Sequence, residues 1–233
     1  PPQSYCNEEV VFIGTFCICW GHCISDHLKH LWFYFDERFQ HLKKLKFVYT
    51  PFSLTATQPK NFWDLLKSIG FPIENIQIVD KPTRFARIYV PDACFFCNML
   101  LKNCKHYTKE YLNLLNRLPN LKPQKNLNIE KVYFSRTKFL NQTKYFGFRD
   151  YNEIEVENIF KNQGFNIFYP EKLDFLTELA ILQNCKVFAA TDGSIGHNVL
   201  FCKNAKQILL LRKSRKVTGY QLTFNSIVLK NNP

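Results

Sequence analysis

Residues 186–211, K-V-F-A-A-T-D-G-S-I-G-H-N-V-L-F-C-K-N-A-K-Q-I-L-L-L, predict a β–turn–α–β unit. The apolar run 187–190 predicts a strand that stops at the polar turn 191–194, a helix is expected over 195–203, and 208–211 predicts the next strand. At the carboxyl end of a parallel strand, the N–H groups that begin a helix can bind an anion. The turn is therefore a candidate site for a phosphorylated ligand, unless it merely connects two elements.

The sequence on either side of this unit alternates between strand and helix patterns. Further strands are expected over 10–16, 46–49, 76–79, 86–90, 131–135 and 166–169, and helices over 24–39, 62–69, 107–118, 153–162 and 173–183. This alternation predicts parallel α/β sheets. Because the pattern restarts after a segment rich in Lys, Asn and Pro, we expect an N-terminal α/β lobe over 1–119, a linker over 120–130 and a C-terminal α/β lobe over 131–233.

The composition is that of a basic globular protein. The chain has 233 residues, 46% hydrophobic side chains and a formal net charge of +12, so it can bury a full core. Nucleic acid, an anionic membrane or a phosphate-bearing small molecule could each explain the charge, as could the amino-acid usage of an AT-rich genome. Charge alone therefore identifies no partner.

The N-terminus and the apolar segments limit the membrane hypotheses. No apolar stretch reaches the roughly 20 residues that a membrane-spanning helix needs. The sequence begins Pro-Pro without methionine, and no basic segment precedes an apolar core. We therefore expect no signal peptide, and we expect the N-terminal lobe to be truncated.

The nine cysteines are odd in number and irregularly spaced, which predicts reduced, mostly buried thiols in a cytosolic protein. Two patches contain potential zinc ligands: Cys94, Cys97 and Cys104, and Cys17, Cys19, His22 and Cys23. A structural zinc site needs a second ligand pair at suitable spacing, and Cys94 and Cys97 lie among apolar residues. We therefore expect no bound metal.

Three polar residues permit either a functional or a structural interpretation. His22 and Asp26 lie four residues apart after the first predicted strand, so on a helix they could act as a base and its orienting carboxylate. Alternatively, Asp26 caps the helix while His22 packs beside Trp20. Glu178, inside a predicted helix, could reach the hydroxyl groups of a ligand or be an ordinary solvated carboxylate.

Arginines near predicted strand ends are candidate phosphate ligands. Arg136 ends the strand that opens the C-terminal lobe, and Arg149 follows a polar loop. An arginine at such a position can bind a phosphate through two parallel hydrogen bonds. Asp150 or Asn152 would serve as the cap of the next helix, which is a sufficient explanation for them. We therefore expect Arg136 to be functional.

Six short motifs occur in order along nearly the whole chain: G-H-C-I-S-D-H-L-K-H-L (21–31), R-I-Y-V-P (87–91), V-Y-F-S-R (132–136), R-D-Y-N-E (149–153), G-F-N-I-F-Y-P-E-K-L-D-F-L-T-E-L (164–179) and D-G-S-I-G-H-N-V-L-F (192–201). Their order and spacing resemble the glycosyltransferase 61 family, which includes bacterial capsule and lipopolysaccharide enzymes and eukaryotic xylosyl- and N-acetylglucosaminyl-transferases. Members of that family often carry His where Asp192 stands and a small residue where Ile195 stands.

The resemblance implies a GT-B-like fold, in which two Rossmann-like lobes with parallel sheets face a cleft, with the acceptor on the first lobe and the donor on the second. It implies a glycosyltransferase that moves a sugar, with inversion and without an obligatory metal, to a glycan or lipid-linked acceptor in capsular or lipopolysaccharide synthesis. The donor is expected to be a nucleotide-sugar, in particular a UDP-sugar, with no further cofactor. We expect a cytoplasmic enzyme that is peripheral at the anionic inner membrane.

The same resemblance implies roles for individual residues. His22 or Asp26 would be the catalytic base. The donor would be bound by Arg136, Arg149, Glu178, Asp192, Gly193, Ser194, His197 and Asn198. Among these, the arginines would neutralise the phosphates, the N–H groups of 193–195 would cap them, and Glu178 would hold the ribose. His197 and Asn198 would line the donor pocket.

Two other classes of protein remain as alternatives. A non-catalytic nucleic-acid-binding protein would interleave stacking aromatic side chains with Lys and Arg, whereas the phenylalanines here recur at core-like spacing, so no nucleic acid partner is expected. Another nucleotide-sugar enzyme, such as an epimerase, would carry a G-x-G-x-x-G motif after the first strand. That motif is missing from this sequence.

Overall fold

The computed structural model describes residues 2, 4–52, 60–96, 106–122, 127–140, 152–211 and 219–231. The described residues up to Arg117 form one compact unit, and those from Leu118 onward form a second. The strands are β1 (Ser4–Phe16), β2 (Lys46–Pro51), β3 (Ile76–Ile78), β4 (Thr83–Tyr89), β5 (Phe95–Phe96), β6 (His106–Tyr107), β7 (Lys131–Phe134), β8 (Asn166–Phe168), β9 (Val187–Thr191) and β10 (Gln207–Leu211).

The α-helices are α1 (Trp20–His22), α2 (Lys60–Ser68), α3 (Lys109–Leu115), α4 (Thr137–Leu140), α5 (Glu153–Asn162), α6 (Phe175–Asn184) and α7 (Gly219–Asn231). Short 3₁₀ helices over Ile73–Asn75, Leu118–Asn120, Pro170–Lys172 and Gly196–Phe201 connect several of these elements. Among the described helices, none combines the length and the apolar character needed to cross a bilayer.

The first unit is built on a parallel sheet with strand order β3-β2-β1-β4. The central strand, β1, supplies the fully buried side chains Val10, Val11 and Ile13. Such a continuous apolar run is typical of a parallel strand covered on both faces. A short antiparallel pair, β5 with β6, was not expected from the sequence.

The prediction of one continuous helix over 24–39 is wrong. In its place α1 continues as a π-helical turn (Cys23–His27) and then as 3₁₀ segments over Leu28–His30, Trp32–Phe35 and Glu37–Lys44. The break falls at Asp36, whose backbone is extended (φ −105°, ψ 128°) and whose carboxylate accepts a hydrogen bond from the Arg38 N–H at 2.9 Å. A short aspartate side chain competes in this way with helical hydrogen bonds.

The second unit contains a parallel sheet with strand order β10-β9-β7-β8. Its four strands were all predicted from their apolar runs, and the α/β class with parallel sheets is confirmed. The helix expected over 195–203 is instead the six-residue 3₁₀ helix Gly196–Phe201. The longest helix of the unit, α7, was not predicted because its apolar residues follow no clear helical period.

The T-D-G-S turn and the 3₁₀ helix that follows it are packed against α7. Gly193 adopts a φ of +115°, which a residue with a Cβ rarely adopts. Gln221 of α7 donates from Nε2 to the carbonyl of Gly196 at 3.0 Å, and Phe224 packs edge-on to the ring of His197 at 5.0 Å. The C-terminal helix therefore supports the segment that the sequence singles out as a phosphate site.

The close approach of α7 predicts that Gly196→Ala destabilises the protein. A Cβ at this position would lie 2.7 Å from Oε1 of Gln221 and 3.1 Å from the carbonyl oxygen of Thr191. Overpacking of this kind costs about 1–3 kcal/mol, which would appear as a lower free energy of unfolding in a urea titration. The cost should shrink in a Gln221→Ala background, and an unchanged stability of the single variant would contradict this packing.

Candidate functional site

In the first unit, the structure brings His22 and Asp26 into direct contact. Nδ1 of His22 lies 2.6 Å from Oδ2 of Asp26. The His22 side chain is 59% exposed and that of Asp26 is 28% exposed, so the imidazole is accessible while the carboxylate is partly covered. Asp26 lies in the first turn of the π segment, whose N-cap residue is His22, and the cap residue makes no side-chain capping hydrogen bond.

The surroundings of Asp26 keep its carboxylate ionised. Ser25 donates to it from Oγ at 2.9 Å, and Lys29 donates from Nζ at 3.1 Å. Burial raises the pKa of Asp26, but the hydrogen bonds from His22, Lys29 and Ser25 outweigh that effect, and the net result is a lowered pKa. An ionised carboxylate beside Nδ1 holds the proton there, so that Nε2 of His22 carries the lone pair that can accept a proton.

A second histidine of this segment, His27, is buried, as is the Cys23 thiol, and Cys17 is half-buried. Nε2 of His27 accepts a hydrogen bond from the Cys17 N–H at 3.1 Å, and its ring stacks on Phe16 at 4.5 Å. Burial lowers the pKa of His27 to about 4, so this side chain is neutral. Burial also raises the pKa of the Cys17 and Cys23 thiols.

In the part of the chain that the structure describes, no three His, Cys, Asp or Glu side chains are grouped as metal ligands. Cys97 and Cys104, which the sequence analysis considered as zinc ligands, lie outside the described residues.

In the second unit, Arg136 and the T-D-G-S turn follow two neighbouring strands at one edge of the sheet. β7 and β9 are neighbours, with Phe134 opposite Ala190. Arg136 and Asp192 each lie two residues beyond this pair, so both strands deliver them to the same carboxyl edge. Both side chains are buried, whereas Gly193 and Ser194 are half-buried. The N–H of Asp192 donates to the carbonyl of Leu211 at 2.8 Å, which ties the turn to β10.

Two carboxylates on α5, which the sequence analysis missed, fix the backbone around Arg136. Oε1 of Glu153 accepts hydrogen bonds from the Arg136 N–H at 2.9 Å and from the Tyr133 hydroxyl at 2.7 Å. Glu153 is buried, so water cannot replace these hydrogen bonds. Loss of either bond would leave a buried polar group without a partner, which destabilises the folded state. The segment that carries Arg136 is therefore held in a defined position.

One helical turn further along α5, Glu157 binds the residues on either side of Arg136. Its Oε2 accepts hydrogen bonds from Ser135 Oγ at 2.8 Å and from Thr137 Oγ1 at 2.5 Å, and its Oε1 accepts one from the Tyr169 hydroxyl at 2.9 Å. Burial raises the pKa of Glu157, but these three hydrogen bonds outweigh it and lower the pKa. Glu153 and Glu157 lie four residues apart, which predicts from the sequence that they share one face of a helix, but this spacing does not identify the residues that they bind.

Glu178 is buried, so the interpretation of this residue as a solvated helix carboxylate is wrong. Its Oε1 accepts a hydrogen bond from Asn198 Nδ2 at 2.6 Å, and the two residues are 4% and 1% exposed. Burial raises the pKa of Glu178 to about 8. His197 is also buried, with its ring against Phe224. These three predicted donor-binding residues therefore lie in the interior of the unit, where Glu178 and Asn198 bind each other.

Arg149 lies outside the described residues, as does Asp150. Asn152 occupies the N-cap position of α5, but its φ is +63° and its side chain makes no capping hydrogen bond. Asn152 therefore does not supply the expected side-chain cap, and the other candidate, Asp150, is among the residues that are not described.

The buried carboxyl of Glu178 predicts a pH-dependent stability. Its pKa is 4.5 in the unfolded chain and about 8 in the folded protein, so between these values the unfolded state releases a proton that the folded state retains. The contribution of Glu178 to stability is therefore fully present below pH 4.5 and is lost as the pH rises to about 8.

Glu178→Gln keeps an acceptor for Asn198 and has no proton to release. Relative to wild type, we expect this variant to gain up to about 1.4 kcal/mol of stability per pH unit across this window. The measurement is the free energy of unfolding near pH 5 and near pH 8. Glu155→Gln, on the exposed face of α5, is the control, and a pH-independent difference for Glu178→Gln would contradict the buried, protonated state.

A family model described as Glycosyltransferase 61 matches residues 20–209, which is 190 of the 233 residues. No curated protein is a significant match.

Among solved structures, the chain is similar to the bacterial iron-containing dodecameric glycosyltransferase TibC from enterotoxigenic E. coli H10407, with 14% identity and a TM-score of 0.38. That alignment covers 92% of this chain, and the chain spans 62% of the length of TibC.

Proposed function

Because the chain belongs to the glycosyltransferase 61 family, we propose that it transfers a sugar from a nucleotide-sugar to a glycan or lipid-linked acceptor, in the synthesis of a surface polysaccharide. The observation that carries this proposal is the position of Arg136 beside the T-D-G-S turn, at the carboxyl edge of one parallel sheet. This is the edge at which open α/β sheets bind their ligands.

The second unit is proposed as the donor-binding unit. The guanidinium of Arg136, and that of Arg149, would bind the diphosphate of the donor. The N–H groups of 193–195 would add hydrogen-bond donors, although a 3₁₀ helix of six residues contributes only a small dipole. Asp192 would contact hydroxyl groups of the donor, because a carboxylate repels phosphate.

The predicted roles of the remaining donor residues are also part of this proposal. Ser194, in the turn, would contact the phosphates. Since Glu178 and Asn198 bind each other in the interior, we propose that these two residues and His197 shape the donor site by fixing the 3₁₀ helix that follows the turn. This differs from the direct contacts that the family resemblance implied.

The first unit is proposed as the acceptor unit, with His22 as the general base and Asp26 as the carboxylate that orients it. The acceptor oxygen would form a bond to the anomeric carbon of the donor sugar while the bond from that carbon to the diphosphate breaks. Nε2 of His22 would take the hydroxyl proton, and Arg136 would neutralise the charge that develops on the leaving diphosphate. Such a single displacement inverts the anomeric configuration.

The GT-B-like arrangement, metal independence, a UDP-sugar donor and a cytoplasmic location at the inner membrane belong to the same proposal. The net charge of +12 supports contact with an anionic membrane surface, where a lipid-linked acceptor would be found.

The contact between His22 and Asp26 predicts the kinetic effect of removing the carboxylate. Asp26→Asn should lower kcat about 10²-fold, because the imidazole loses the group that fixes its tautomer, and should leave the affinity for the donor unchanged. His22→Gln should show the same pattern. Asp80→Asn, at an exposed position of the same unit, is the matched control. Wild-type turnover in both dyad variants would exclude this base.

The proposed donor site predicts which ligands stabilise the protein. We expect one of the UDP-, GDP-, CMP- or TDP-sugars to raise the melting temperature of the wild type, since it binds only the folded state. Arg136→Ala should weaken that binding about 10- to 100-fold and Arg136→Lys less, because lysine keeps the charge and loses the bidentate geometry. Arg84→Ala, exposed in the first unit, should bind normally. Wild-type affinity of Arg136→Ala for the nucleotide-sugar would contradict the proposed donor site.

A further inference from the structure

Glu171 lies beside the segment that carries Arg136, and neither the sequence motifs nor the comparisons give it a function. β8 pairs with β7, and the Ser135 N–H donates to the carbonyl of Phe168 at 2.8 Å. The chain leaves β8 through the 3₁₀ helix Pro170–Lys172, which is closed by a hydrogen bond from the Lys172 N–H to the Tyr169 carbonyl at 2.9 Å. Glu171 therefore stands at the same carboxyl edge of the sheet as Arg136.

The carboxylate of Glu171 has an unused acceptor in a covered position. Its Oε1 is buried and has no hydrogen-bond partner among the described residues. A buried acceptor without a partner costs about 1–3 kcal/mol, so native proteins keep few such groups. Burial raises the pKa of Glu171, although its own backbone N–H and the charges of Lys172 and Arg136 act in the opposite direction. Arg136 is thus close enough to interact with it electrostatically.

A second unused oxygen lies on the other side of the strand that carries Arg136. Thr191 ends β9 and is buried, and its Oγ1 has no partner within the described chain. Because the strand order is β9-β7-β8, Thr191 and Glu171 flank the end of β7 from opposite sides. Two polar atoms without partners therefore belong to the segments on either side of the strand that leads to Arg136, and a ligand with hydroxyl groups at this edge would give them partners.

We propose that Glu171 accepts hydrogen bonds from hydroxyl groups of the nucleotide-sugar, next to the diphosphate that Arg136 binds. This inference rests on the proposed function. A carboxylate repels phosphate and needs a hydrogen-bond donor, and the groups nearest to the diphosphate that can donate are the hydroxyls of the two sugar rings attached to it. These rings are the ribose on one side and the transferred sugar on the other.

The experiment measures dissociation constants by calorimetry for UDP, GDP, their 2′,3′-dideoxy forms and the corresponding UDP- and GDP-sugars. The variants are Glu171→Ala and Glu171→Gln, and Glu155→Ala, on the exposed face of α5, removes the same charge elsewhere in the unit. If Glu171 binds the ribose, Glu171→Ala should weaken the preferred nucleoside diphosphate about 10-fold and should no longer distinguish it from the dideoxy form. Glu171→Gln should lose less affinity.

If Glu171 binds the transferred sugar, Glu171→Ala should bind the nucleoside diphosphate normally and lose about 10-fold in affinity for the nucleotide-sugar alone. Either result supports the inference and identifies the ring. Binding of both ligands by Glu171→Ala at the level of Glu155→Ala would overturn it while leaving the proposed donor site intact. A wild-type chain that binds none of the nucleotides would overturn the proposed function and this inference together.

Discussion

The parallel pairing of β7 with β9 is the constraint on which the donor-site proposal depends. Its register places Phe134 opposite Ala190, and residues on both faces of the two strands are fully buried, so a slip of one residue would exchange large and small side chains within a close-packed interior. A residue two positions beyond the pair on either strand therefore reaches the same edge of the sheet. Segments that are more than 50 residues apart in sequence become neighbours through this one pairing.

The strands of both sheets could be predicted from the sequence, because short apolar runs bounded by turn residues reflect local burial. The structure of the region after β1 could not be predicted in this way. Its apolar spacing fits a helix, but the extended backbone at Asp36 interrupts the helical path. Of the apolar residues at helical spacing in this region, Leu28 and Leu31 are buried, whereas Trp32 and Phe35 are only half-buried. Helical periodicity therefore identified the buried side chains only before the backbone leaves the helical path.

The candidate site shows a similar division. His22 and Asp26 were found from their spacing, because a contact four residues apart is local. Glu153 and Glu157 were missed because each acts on residues about 20 positions earlier in the chain, and only the packing of α5 on the sheet reveals that contact. The burial of Glu178 also depends on tertiary packing. Chemistry that is shared between distant segments leaves no local signature in one sequence.

The π-helical turn Cys23–His27 affects how this part of the chain can vary in length. A π turn holds one more residue than an α turn, so deletion of one residue here would restore the tighter α winding and leave the later residues in nearly the same orientation. If the deleted residue lay between His22 and Asp26, their spacing would fall to three, which still places both side chains on one helical face. The wide turn therefore absorbs a residue without separating the imidazole from the carboxylate.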